Sequence, residues 1–229
     1  MEKLVSTDLP FSSSGKSLAL AINGGSRVND LRHLSFVYKT FNGVKQLHLG
    51  FHRDLRWHDW RGKYHCYEFN GIDPIVQETF AEYLEALAAA NFGEECNISY
   101  SGVYEDDLRY FDGDMKYVDN GLGSGLTCAT FVLAVMKAFG LQLVRAESWP
   151  RDREQDRRWL DWILGELAKL TAIVGIDLHV AKQRSYRLLL RRFRPEEVAA
   201  TSIHYVSEPL TFKQIEPESK VIRGRLPCI

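Results

Sequence analysis

The chain has 229 residues, 45% of them hydrophobic and 26% charged, which is the composition of a soluble globular protein and excludes a disordered or fibrous one. Its formal charge of -1, from 29 basic and 30 acidic side chains, gives no overall field that would draw it to nucleic acid or an anionic membrane. The length suits one domain over 1–229 with a sizeable core.

The N-terminus, MEKLVSTDLPFSSSGK, has no apolar stretch of the kind that forms a secretory leader, and the run Phe131 to Met136 is too short to span a bilayer. A cytoplasmic protein without a transmembrane segment is expected; a non-classical export route would leave no mark. Ser12 to Ser14 reads as a flexible lead-in. Cys66, Cys96, Cys128 and Cys228 are widely spaced and form no CxxC pair, so they read as reduced thiols.

LSFVYKTF, Leu34 to Phe41, is rich in β-branched and aromatic residues, and VKQLHLGFH follows after Asn42-Gly43. That pattern predicts a β-hairpin with Asn42 and Gly43 as its turn. Alternation in the second strand puts Leu47, Leu49 and Phe51 on a core face, and Gln46, His48, Gly50 and His52 on the other. Gly50 then leaves room above the sheet beside two imidazoles. RDLRWHDW and KYHCYEF look like further strands of an antiparallel sheet of three to five members.

Asp73-Pro74 is a good helix start, and Val76, Phe80, Leu84 and Leu87 recur at helical spacing up to about Asn91. Ser101 to Gly125 is acidic, aromatic and glycine-rich, the composition of a long irregular loop of the kind that lines sites. Beyond Leu143 the chain reads as helical and charged. Trp159, Ile163, Leu167 and Leu170 form an apolar stripe, and a further helix starts at Pro195. The region 145–229 is expected to pack on a core spanning 34–141, with an extended tail from Pro209 through Pro217 and Pro227.

GSGLTCATFVLAVMKAFG, Gly123 to Gly140, predicts the central buried helix, since only Thr130 and Lys137 are strongly polar between Thr127 and Phe139. Thr127 as N-cap places Cys128 in the first turn, where unpaired N–H groups and the helix dipole favour a thiolate. Free cysteine is also a common buried packing residue. A strand bearing His48 beside this helix would supply the base that a thiol nucleophile needs.

TCATFV, Thr127 to Val132, resembles the Cys-x-x-Phe-Val start of the catalytic helix in the NlpC/P60 superfamily of papain-like thiol enzymes, and HLGFHRDLRWH resembles its histidine strand. His48 precedes Cys128, the order of the circularly permuted branch that includes lecithin-retinol acyltransferase-like and YiiX-like proteins. The resemblance covers roughly Leu34 to Leu141. It implies an α+β fold, an antiparallel sheet packed on a central buried helix, with Cys128 as nucleophile, His48 as base and a polar residue on the next strand orienting His48. That residue is His58, or Asp59 if the register slips by one. The chain departs from the family at Ala129, where the best-known relatives carry Ser or Glu, and in its charged C-terminal region.

The expected activity is that of a thiol peptidase, amidase or acyltransferase acting on a peptide, acyl or amide substrate through a thioester, with no metal or organic cofactor. The alternative is a non-catalytic binding or regulatory module on the same fold. His52 reads as a polar strand-end residue in solvent, with a second role as alternative base. A zinc site from His52, His58 and His65 is disfavoured because HLGFH lacks the glutamate of HExxH and lies on a strand. His33, His179 and His204 read as structural. Lys182 to Arg194 carries six basic and no acidic residues. Near-zero net charge favours pairing with acidic residues elsewhere over a nucleic-acid patch. Nothing in the pattern sets the oligomeric state.

Overall fold

The computed structural model describes residues 10–11, 15–24, 31–93 and 96–226. Ser12 to Ser14, Pro227 and Cys228 lie outside them. Five strands, β1 (Leu18–Asn23), β2 (His33–Thr40), β3 (Gly43–Phe51), β4 (Asp54–Asp59) and β5 (His65–Glu68), form one antiparallel sheet in the order β4-β3-β2-β1-β5. Six helices accompany it: α1 (Pro74–Asn91), α2 (Cys128–Phe139), α3 (Glu154–Leu167), α4 (Ile176–Ser185), α5 (Pro195–His204) and α6 (Phe212–Arg225). Among the described residues no helix is long and apolar enough to cross a membrane.

Period-two alternation gives the sheet two unlike faces. Leu18, Leu20 and Ile22 of β1, Leu34, Phe36 and Tyr38 of β2, and Leu47 and Leu49 of β3 join α1, α2 and α5 in one large core. The opposite face carries Ala19, Ala21, Val37 and Cys66 under Phe11, Trp60 and Tyr64. β1 escaped the sequence reading because LALAIN is buried on both faces and so shows no polar alternation. Its alanines suit the thin cover on the second face.

The hairpin forms, with its turn shifted by one residue. Thr40 pairs with Gly43, so Phe41 and Asn42 make the turn while Gly43 takes φ +125°, a conformation that favours glycine. The second irregularity sits at Gly50, where the β3–β4 register shifts between Leu49 and Phe51. This bulge turns His52 out of the alternation that would have aligned it with His48.

α1 starts as its sequence predicts, with Asp73 accepting from the Ile75 N–H and Pro74 in the first turn. Its buried Gln77 accepts from the Ser17 and Leu18 N–H groups and donates to the Phe69 and Ile72 carbonyls, joining the helix to the start of β1 and the end of β5. Residues 101–125 form neither helix nor strand. The expected extended tail is instead helix α6, with Pro217 inside it. Proline removes one helical hydrogen bond, but Thr211 and Gln214 cap the start and Ile215, Ser219 and Ile222 form a buried stripe, so packing against α5 overrides the local preference.

Gly125 immediately precedes the segment that enters α2. Its φ is +156°, and a Cβ there would stand 2.4 Å from the Ser99 carbonyl oxygen. Gly125→Ala should destabilise the fold by about 2 kcal/mol or more, whereas Gly113→Ala, with nothing within 4 Å of the added carbon, should change stability little. Urea unfolding of both variants checks this, and equal midpoints would count against a packed approach to α2.

Candidate active site

The helix that begins at Cys128 is held by its first residues. The Thr127 side chain accepts from the Thr130 N–H at 3.1 Å, and the Thr127 N–H donates to Thr130 Oγ1 at 2.7 Å. This reciprocal cap satisfies the Thr127 and Thr130 N–H groups and leaves the Cys128 and Ala129 N–H groups at the helix start beside the sulfur. The incoming chain is also fixed, since Leu126 donates to the Ser99 carbonyl at 2.8 Å and accepts from Ser101. Cys128 therefore stands at a rigid corner, only 6% exposed.

Cys128 opens on a cavity of about 200 Å³ at the end of β2 and β3. His33, Gly50 and Phe51 line its sheet side, Tyr100 and Thr127 its loop side, and residues of α3 and the segment before α5 its far wall. Burial pushes the Cys128 thiol above its ordinary value. The Leu34 N–H, the Arg192 charge and the N–H groups at the helix start favour the thiolate, but do not overcome desolvation. The resting group is a thiol at neutral pH.

His48 is 97% buried on the face expected for it, yet it is His33, not His48, that lines the cavity with Cys128. The two imidazoles are hydrogen-bonded, His33 Nε2 to His48 Nδ1, with ring centroids 4.4 Å apart at 71°. His58 stands edge-on to His48 at 5.7 Å. Three strands thus contribute an imidazole row, His33–His48–His58. Among the described hydrogen bonds none joins Cys128 to an imidazole, and none joins His48 to His58.

The register decides the next strand. His48 lies opposite Arg56, Gln46 opposite His58 and Lys45 opposite Asp59. His58 is consequently a diagonal neighbour of His48, and its Nδ1–H donates to the Asp59 carbonyl at 2.9 Å. The Asp59 carboxylate points away and meets Lys45 at 2.7 Å. The room left by Gly50 is taken by the Asp54–Arg56 ion pair; a Cβ on Gly50 would stand 2.5 Å from Asp54 Oδ2 and 2.7 Å from Arg56 Nε.

Burial, then repulsion from His33, His58 and Arg56, pushes the His48 imidazolium down to about 2. His33 falls to about 4, chiefly through burial and then Arg56, against a small opposing pull from Asp54. Both rings are neutral at physiological pH, so one donates and the other accepts in their shared hydrogen bond.

His52 is buried rather than solvated. The bulge at Gly50 turns it toward the loop, where Nδ1 accepts from the Tyr100 N–H at 3.1 Å and the ring lies 5.5 Å from His179. His179 donates from Nε2 to the Tyr100 carbonyl at 2.9 Å. These two histidines clamp the backbone of a residue that walls the cavity. His65 lies on β5, at the opposite edge of the sheet from His58 on β4. Among the described residues no group of three histidine, cysteine, aspartate or glutamate side chains could hold a metal ion.

The sequence reading missed His33, although the hairpin register contains the signal. Phe36 pairs with Leu47, so residues two apart on β2 place Ser35 and His33 on the face that carries Gln46 and His48. Arg192, from the basic run, was missed as well. Its neighbours Arg187 and Arg194 pair with Asp161 and Asp156, so this run is tied into the fold by acidic partners.

His33, His48 and His52 all fold in the neutral form, His52 pushed down to about 4 by burial, then His179 and Arg53. Below pH 6.5 the unfolded chain binds protons that the folded one refuses, so stability present above that pH is lost as pH falls toward 4. The slope should approach about 1.4 kcal/mol per pH unit for each histidine. Urea unfolding at pH 7, 6 and 5 measures it, and constant stability across that range would contradict buried neutral imidazoles. No protein-family model matches this chain, and no curated protein or solved structure matches it either.

Proposed function

We propose that this chain is a thiol-dependent hydrolase or acyltransferase, acting on an amide or ester bond through a thioester on Cys128. The observation that carries the reading is the shared cavity: the cysteine at the first turn of a buried helix and an imidazole, His33, line the same partly open cavity. An antiparallel sheet against a helix that begins with cysteine supports, at the level of fold, the resemblance to permuted NlpC/P60-like enzymes.

In this reading a substrate carbonyl enters the cavity and Cys128 Sγ forms a bond to its carbon. The thiol proton passes to the His33–His48 pair, with His33 as the ring on the cavity side and His48 as the positioning residue behind it. His48 thus takes the role of holding the base, and His58 lies edge-on beyond it. The oxyanion falls near the free N–H groups of the first turn of α2. Collapse breaks the bond to the amine or alcohol, which leaves with the proton, and water or another acceptor then cleaves the thioester. The rings are neutral and the thiol protonated at rest, so proton transfer accompanies attack and no thiolate–imidazolium pair precedes it.

A second reading, a binding module without catalysis, is favoured by one observation, the burial of Cys128, which disfavours its thiolate. Acylation separates the two. An activated ester such as p-nitrophenyl acetate should leave an acetyl group on Cys128, detectable by peptide mass mapping. Cys128→Ala should abolish it, and His33→Gln should slow it by about 10²-fold or more. His58→Gln should cost much less. No acylation of Cys128 in the folded protein would sink the enzymatic reading.

The pH profile gives an independent check. Alkylation of Cys128 by iodoacetamide should keep rising through pH 9, the ordinary thiol value, because burial favours the neutral thiol. A plateau near neutral pH would instead reveal a preformed thiolate and overturn the neutral resting state.

A further inference from the structure

The geometry points to a substrate that carries a carboxylate, bound by Arg192 in the cavity on which Cys128 opens. This rests on the thiol-enzyme reading only for the word substrate; the binding of a carboxylate stands or falls by itself.

The far wall of the cavity is aromatic, with Trp159 and Trp162 from α3 and Phe193 before α5. Two guanidiniums line the cavity: Arg32, beside His33 and paired with Glu196, and Arg192, set into the aromatic wall. The Arg192 side chain is nine-tenths buried and stacks over Trp159 at 3.9 Å. No aspartate or glutamate lines the cavity among the described residues. An arginine keeps its charge even where burial opposes it.

Asp156, and after it Glu196, offset that charge only in part against burial and Arg194. Among the described residues the one side-chain hydrogen bond of Arg192 runs from Nη1 to Asp156 Oδ1, at 3.3 Å. Asp156, itself 1% exposed, is shared, because Arg194 Nε reaches the same oxygen at 2.9 Å and Arg153 takes the other. Glu197 serves Arg153 and the Arg194 backbone, while Glu196 pairs with Arg32 at 3.2 Å. Three guanidiniums therefore share the two carboxylates Asp156 and Glu197. The planar fork of Arg192 retains N–H donors beyond its long bond to Asp156, in a setting where a fresh carboxylate would accept two of them together.

Arg192 is also near enough to the reacting sulfur for its charge to favour the Cys128 thiolate. A carboxylate docked on it would hold the rest of a small molecule over Cys128. The cavity, at about 200 Å³, suits a short aromatic or branched body and excludes a long acyl chain. The matching class is an amide or ester bearing a nearby carboxylate, such as the C-terminal residue of a peptide or an N-acyl amino acid.

Benzoate, benzamide and inorganic phosphate distinguish the possibilities. In the wild-type protein, with Cys128 followed by peptide mapping, benzoate should protect against iodoacetamide at concentrations at least about tenfold lower than benzamide. Equal protection by the two, or none by either, overturns the proposal. Phosphate protecting as well as benzoate overturns the carboxylate assignment in favour of a general anion site.

Arg192→Gln should remove the preference for benzoate, and Arg192→Lys should weaken it while keeping the charge. If either variant fails to fold, the wild-type comparison still decides. Calorimetric titration of benzoate into Cys128→Ala protein reads binding without the thiol. Binding there with no acylation of the wild type would leave the anion site standing and remove the enzyme, while acylation without benzoate binding would do the reverse.

Discussion

The burial of α2 against the inner face of β2 and β3 is the constraint on which the rest depends. A helix with apolar residues nearly all round cannot face water, so it must be enclosed by sheet on one side and by other helices on the rest. Enclosing its N-terminus is costly unless the first N–H groups find acceptors, and Thr127 with Thr130 satisfies part of that need. Cys128 inherits its place from this arrangement. The same burial that fixes the sulfur in space also holds its proton, which ties geometry and reactivity to a single cause.

The second organising element is charge buried on the C-terminal side. Asp156 on α3 and Glu197 on α5 gather Arg153 from the start of α3 and Arg192 and Arg194 from the segment before α5, and Trp149 donates to Glu197 at 3.0 Å in the same cluster. Such a network contributes less net stability than its short contacts suggest, because every charge was taken from water. Its structural effect is to set the position of residues 192–195. Those residues close the cavity opposite the sheet, so the helical region is a wall of the candidate site.

Much of this arrangement could be read from the chain. α1 and α2 announce themselves by periodicity and caps, because Asp73-Pro74 and Thr127 act through local chemistry. The hairpin was legible, though its turn lay one residue earlier than Asn42-Gly43 suggested. What could not be read depends on tertiary partners. LALAIN lacks alternation because both its faces are covered, and Pro217 sits in a helix that only packing against α5 sustains. Cys128 and His48 stood out as chemistry-bearing residues. His33 did not, since its relevance arises from a cross-strand hydrogen bond, and Arg192 did not, since a basic run looks the same whether it coats a surface or enters a core.

The place of α5 bears on how the chain can come together. This helix, with Val198, Ala199, Ala200, Thr201 and Ser202 buried, packs on α2 and on β1, β2 and β5, three strands that precede it by more than half the sequence. During synthesis the apolar side of the sheet would therefore emerge before the helix that helps cover it. Contacts so distant in sequence slow folding and lengthen the interval in which an uncovered sheet can meet another chain. The nascent protein would be most prone to association after α2 has left the ribosome and before α5 has, a window during which a chaperone that shields apolar strands would matter most.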